Sequence, residues 1–209
     1  MRTVLHVDLN NFYASVETII DPSLKGDFLG VTGNIESRHG VILAKSESAK
    51  KGGVKTGMTV HEALKICPEL KLVEAKHDRY VKHSEIVRNI YRRYTDVIEP
   101  FGIDECWLDC TSTVKMFGGG EKIANDIRET VKRETGLTVS VGVSFNKVFA
   151  KLGSDMKKPD AVTVISPENF KEKVWGLPVE NLLFVGKSTL EKLKKYNRAL
   201  SEFDFFDQV

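Results

Sequence analysis

Residues 4–17 read VLHVDLNNFYASVE, and the succession of residue types in them sets the fold. Val4 to Val7 form an apolar run suited to a buried strand, yet the run ends on the carboxylate of Asp8. Asn10 and Asn11 follow, and either can cap a helix from Phe12 to Ile19, which Asp21-Pro22 closes. A single acid at a strand end has an ordinary explanation, because Asp and Asn favour turns and helix starts through local hydrogen bonds. Its meaning depends on which other carboxylates the rest of the chain brings to it.

The chain of 209 residues, 41% of them hydrophobic, suits one large domain or two small ones with a buried core. It contains no run of 18 apolar residues, and MRTVLHVD turns acidic too early for a signal peptide, so a cytoplasmic protein with no membrane partner is expected. Cys106 and Cys110 stand four apart in an expected strand, about 13 Å, too far for a disulfide. The cysteines read as reduced structural thiols, and with the five histidines they show no zinc spacing. A net charge of +2 says little, since nucleic-acid binding declares itself in local basic clusters.

Outward from the first strand, residues 23–60 are punctuated by glycines between short strand-like pieces such as VILA at 41–44, a small loop-rich subdomain. TVHEALKI at 59–66 predicts a helix, LKLVEA at 70–75 a strand, and residues 78–94 a long helix with apolar positions at Tyr80, Val81, Ile86, Val87, Ile90 and Tyr91. Two strands flank a Pro100–Gly102 turn, a helix covers 121–134, and LTVSVGVSF at 137–145 alternates with a period of two. Strand, helix, strand, strand, helix, strand after residue 70, with the first strand added, predicts an α+β fold: a ferredoxin-like antiparallel sheet with helices on one face. Residues 11–70 are then an insertion, and a third, helical piece begins near Phe170.

FGIDECWLDC at 101–110 places Asp104 and Glu105 side by side in an apolar run, where an uncompensated carboxylate must be neutralised, paired or bound to metal. If strands 3–8 and 104–110 are neighbours, Asp8, Asp104 and Glu105 converge. Such a triad suits two hard cations about 3.5–4 Å apart, the arrangement for in-line phosphoryl or nucleotidyl transfer. Taken singly, Asp8 is explained as a capping acid and Asp104-Glu105 as a hairpin edge; taken jointly they favour a metal site. Asp109 is left outside it. Arg38, Lys45, Lys50, Lys51 and Lys55, and later Lys147, Lys151, Lys157 and Lys158, are basic clusters that fit either a solvated face or phosphate binding. FVGKST at 184–189 lacks the first glycine of a P-loop, Asn181 standing there, and reads as a turn into a helix whose backbone N–H groups, at Gly186, Lys187 and Ser188, can hold a nucleic-acid phosphate.

In VDLNNFYASVE, DPSLKG, KKGGVKTGM, IDECWLD and VSVGVSFNKVFAKLGSDMKKP, taken in this order, the chain resembles the Y-family, lesion-bypass DNA polymerases. The resemblance implies a DNA-directed DNA polymerase: a palm at 1–10 and 76–165, fingers at 11–75 and a partial thumb at 166–209. It implies two Mg²⁺ ions held by Asp8, Asp104 and Glu105 with the Leu9 carbonyl, dNTPs met by Asn10, Asn11, Phe12, Tyr13, Lys50 and Lys158, and primer-template DNA. Tyr13 would be the steric gate against ribose and Lys158 would reach the triphosphate. Glu47 and Lys50 stand where many relatives carry a Tyr and an Arg, and Phe28 where Pro is common. Relatives continue past residue 209 with a full thumb and a DNA-gripping domain, so a catalytic-core fragment is expected, with any sliding clamp engaged through the missing C-terminal region. A nucleotide cyclase on a palm-like sheet and an inactive DNA-binding remnant are the competing readings.

Overall fold

The structure, a computed structural model, describes residues 1–33, 35 and 40–194; Arg38, His39 and the final stretch 195–209 of the expected partial thumb lie outside the described residues. The chain begins with β1 (Val4–Leu9), buried along its whole length. That follows from its central place in a sheet covered on both faces: Leu5, Val7 and Leu9 face one layer, and Val4, His6 and Asp8 the other.

After β1 come α1 (Phe12–Ile20), β2 (Leu29–Thr32), β3 (Ile42–Lys45), α2 (Glu47–Lys51), α3 (Val60–Ile66) and β4 (Lys71–Glu74). Strands β2 to β4 form a small sheet of order β3-β2-β4, with a hydrophobic cluster of its own made by Ile42, Ala49, Val54, Ala63, Cys67 and Leu70. The start of α3 is a capping box: the Thr59 hydroxyl accepts from the Glu62 N–H, and the Glu62 carboxylate accepts from the Thr59 N–H.

The chain then returns through α4 (His77–Tyr91), β5 (Ile98–Phe101), β6 (Glu105–Asp109), α5 (Val114–Phe117), α6 (Gly120–Thr135) and β7 (Val139–Ser144). It continues with α7 (Lys147–Met156), β8 (Val162–Ile165), α8 (Phe170–Val174) and α9 (Lys187–Lys194). The large sheet has the order β5-β6-β1-β7-β8, and its first four strands are antiparallel throughout. With α4 and α6 packed against its Leu5, Val7, Cys106, Leu108, Val139 and Val141 face, this is the ferredoxin-like arrangement expected, opened between β1 and α4 by the insertion.

Two features extend it. LKLVEA joins the small sheet as β4, parallel to β2, and not the large one. Beyond β7 the chain crosses as α7 over the opposite face and returns as β8, parallel to β7, so the sheet is mixed at that edge and carries helices on both faces.

The crossing is closer than ordinary side chains permit. A Cβ at Gly142 would collide with the backbone of Ala150 in α7, and one at Gly153 would stand 3.2 Å from the Gly142 Cα. Helix and strand thus touch backbone to backbone, which lowers α7 onto the face that carries His6, Asp8 and Glu105. Gly142→Ala is therefore expected to destabilise the protein by about 1–3 kcal/mol or more. Gly176→Ala, with open space around it, should change stability by less than about 0.5 kcal/mol. Urea unfolding midpoints of the two variants decide this; equal midpoints would mean that α7 does not rest on Gly142.

Candidate active site

The site grows from one cross-strand pair. In the antiparallel register of β1 and β6, Asp8 lies directly opposite Glu105, and both side chains point to the α7 face. Asp104 sits one residue before β6, at the end of the turn through Gly102, whose φ of 80° suits glycine. Its position is fixed from two sides. The Leu9 N–H donates to the Asp104 carbonyl at 3.0 Å, and α4 holds the turn through the Ser84 hydroxyl on the Ile103 carbonyl and the Arg88 guanidinium on the Gly102 carbonyl at 3.0 Å. Asp8 and Glu105 are thus brought together across the strands, with Asp104 near enough for their charges to act on it.

Helix α7 and the loop after it deliver the countercharges. Lys151, nearly buried, holds its Nζ 3.0 Å from Glu105 Oε2, 3.2 Å from Asp155 Oδ2 and 3.5 Å from Asp8 Oδ2. Lys158 pairs closely with Asp8 and reaches Asp155 Oδ1 at 2.9 Å. Burial pushes the Asp104 carboxyl up, and the charges of Asp8 and Glu105 push it further. Burial also acts upward on Glu105, but the polar neighbours His6 and Lys151 prevail and hold it below the usual range. Both lysines are raised, because the surrounding acids outweigh the effect of burial.

Among the described residues no three His, Cys, Asp or Glu side chains stand grouped as the ligands of one metal ion, and lysine ammonium groups lie among the acids. The donor set nonetheless fits a hard divalent cation: carboxylate oxygens of three acids, one of them disfavoured as an anion by burial and by the other two. Glu105 Oε2 is buried and lacks an aligned hydrogen bond despite its close neighbours.

The other expected residues divide. Asn10 is buried and its side chain is committed within the protein: its Nδ2 donates to Ser140 Oγ at 2.9 Å, while its Oδ1 accepts from Thr138 Oγ1 at 3.1 Å and from the Asp160 N–H at 2.8 Å. Asn11 takes a left-handed conformation with φ 48° at the start of α1 and donates to Glu47 Oε2 at 3.3 Å; Lys50 lies 3.9 Å from the same oxygen. Phe12 belongs to the main core. Tyr13 stacks on Tyr80 at 3.9 Å with the ring planes 8° apart, and burial together with the charge of Asp104 raises its phenol. Tyr80 in turn donates to the buried Glu17 carboxylate at 2.8 Å.

Gly186, Lys187 and Ser188 are exposed, and Gly186 lines a cleft of about 460 Å³ whose other wall includes Lys151 and Asp155. Asp109 pairs with Arg2 at 2.9 Å at the far end of β6, outside the cluster. Sequence reading passed over His6 and Asp155 and left Lys151 unassigned. The available signal was the pairing of Lys151 with Asp155 one helical turn on, which puts both on one face of α7.

A family model described as impB/mucB/samB matches residues 7–155. DNA polymerase IV of Acetivibrio thermocellus is 62% identical over 192 residues, covering 92% of this chain and 48% of that protein. DNA polymerase IV 1 of Halalkalibacterium halodurans is 39% identical over 195 residues, covering 93% and 47%. Among solved structures, a Y-family DNA polymerase chimera superposes with a TM-score of 0.90 at 29% identity, over 96% of this chain and 61% of that one. DinB from Sulfolobus solfataricus superposes with a TM-score of 0.86 at 30% identity, over 93% and 57%. The chain spans about half the length of the curated relatives it matches.

The mutual repulsion of the acids has a measurable consequence. A carboxyl raised by folding opposes folding once pH exceeds its unfolded value, so Asp104→Asn should stabilise the protein at neutral pH in chelator-treated buffer, by roughly 0.5–2 kcal/mol. A thermal melt with a lower midpoint than wild type would contradict the crowding of charge at Asp104.

Proposed function

This chain belongs to the impB/mucB/samB family, and from that premise we propose that it carries a DNA-directed DNA polymerase activity of the lesion-bypass type, adding dNTPs to a primer on a DNA template. The observation that carries the reading is the Asp8–Glu105 cross-strand pair with Asp104 anchored beside it. In this reading residues 1–10 and 76–165 form the palm, 11–75 the fingers, and the thumb starts at 166. The protein would work in the cytoplasm, with a sliding clamp as a partner; no described helix is long and apolar enough to cross a membrane.

Asp8, Asp104 and Glu105, with the Leu9 carbonyl, would hold two Mg²⁺ ions. When bound, such ions lower the barrier by stabilising the attacking and leaving oxygens of an in-line displacement. The chain's own groups do the rest. Lys158, on the loop that Asn10 pins through the Asp160 N–H, would supply positive charge for the triphosphate, and Lys50 on α2 would add to it. Lys50 gives a point charge without a bidentate grip, and Glu47 beside it is paired and not a phosphate ligand. Tyr13, held flat against Tyr80, would present its ring to the sugar and exclude a 2′-hydroxyl. Lys187 and Ser188 would meet a DNA phosphate with backbone N–H groups, beside Gly186, whose own N–H donates to the Phe184 carbonyl at 3.2 Å.

Primer extension with each dNTP and Mg²⁺ tests the reading, next to a template-free reaction scored for cyclic products. Asp8→Ala, Asp104→Ala and Glu105→Ala should each lower extension by at least ~10³-fold, about 4 kcal/mol of transition-state stabilisation, while remaining folded. Near-normal extension by Asp104→Ala would remove the metal-site assignment. Tyr13→Ala should raise ribonucleotide relative to deoxynucleotide incorporation by about 10²-fold, some 3 kcal/mol. An unchanged ratio in matched single-nucleotide insertions would make Tyr13 a packing residue only.

A further inference from the structure

His6 is fully buried in the middle of β1, where an aliphatic side chain would pack without any polar demand. Both of its ring nitrogens meet polar groups. Nδ1 lies 2.8 Å from Ser154 Oγ on α7, and Nε2 lies 3.1 Å from Glu105 Oε2 on β6, short of full hydrogen-bond alignment. The ring is held edge-on to Trp107, centroids 5.0 Å apart, and Trp107 is itself fastened by its indole N–H on the Lys147 carbonyl at 3.1 Å. His6 stands opposite Gly142 in the β1–β7 register, so the close approach of α7 there is what brings Ser154 within reach.

We infer that His6 is a positioning residue for Glu105, a strut from α7 through Ser154 that sets where the carboxylate points for a divalent cation. The inference rests on reading Asp8, Asp104 and Glu105 as metal ligands. The Ser154 hydroxyl lies 2.7 Å from the Lys151 carbonyl and can donate there or to Nδ1; turned to Nδ1, it leaves the proton of a neutral ring on Nε2, facing Glu105 Oε2. A carboxylate left free there would swing between the cation, Lys151 and solvent. One braced from behind stays aimed, the usual benefit of a hydrogen-bonded partner behind a metal ligand.

The experiment titrates the 209-residue chain with Tb³⁺, an oxygen-seeking probe cation excited through Trp107, which lies two residues beyond Glu105 on the same strand face. The half-saturating concentration is read together with a thermal melt. His6→Phe keeps a ring against Trp107 and removes both nitrogens; it should bind Tb³⁺ about 10-fold or more weakly while still melting cooperatively. His6→Gln, whose amide nitrogen can reach the Nε2 position, should recover binding to within about 3-fold of wild type. Insertion kinetics should show the loss in His6→Phe falling on kcat with KM for dNTP little changed, since the nucleotide does not touch the ring. Wild-type Tb³⁺ affinity in a folded His6→Phe would overturn the inference. Should that variant not fold, Ser154→Ala takes its place: weaker binding supports the strut, and unchanged binding overturns it. Asp104→Ala separates the two levels. If it abolishes binding while His6→Phe does not weaken it, only the role of His6 falls; if it leaves binding intact, the metal-site reading falls and takes His6 with it.

Discussion

Asp8 and Glu105 are cross-strand partners, and a slip of one residue in that pairing would send one of the two carboxylates into the packed layer formed by α4 and α6. The register is held by the alternation it satisfies. Leu5 and Val7 on β1, with Cys106 and Leu108 on β6, all face the main core, so the intervening positions must face α7. A hydrophobic pattern that contributes nothing to chemistry thereby aims the charged groups. The short link from the Leu9 N–H to the Asp104 carbonyl then adds the third acid without extending the ladder.

Around this pair the electrostatics are nearly self-contained. Two ammonium groups from α7 and its following loop lie among Asp8, Glu105 and Asp155, so charges that would be prohibitive alone are mutually compensated. Asp104 takes part least in this compensation, and its carboxyl is the one driven upward by burial and like charge.

Much of this was legible in the residues, because period-two alternation and acids at strand ends are local signals. The first strand, the LTVSVGVSF strand and the meeting of Asp8 with Glu105 follow from them. What was not legible depends on partners. LKLVEA reads as a strand with either sheet as its neighbour, and only packing assigns it to β2. The crossing of α7 over the second face turns on a glycine, Gly142, whose missing side chain is silent in any periodicity. Asn10 reads as a polar residue at the mouth of a site, yet its amide is engaged in tying β1 to β7 and to the Asp160 loop. His6 reads as a gap in an apolar run, and its partners lie about 100 and 150 residues away in the chain.

The separate cluster beneath the small sheet carries a different kind of consequence. Ala49, on the inner side of α2, packs with Ile42, Val54 and Ala63, while Glu47 and Lys50 on the same helix stand outside that cluster. Ser46 anchors the helix from its start, accepting from the Ala49 and Leu29 N–H groups. The outer side of α2 thus lies apart from that cluster, with Glu47 reaching to Asn11 at the start of α1. Such a molecule is modular: the acid pair is built into the large sheet, while α2 is mounted on an inserted piece with a core of its own.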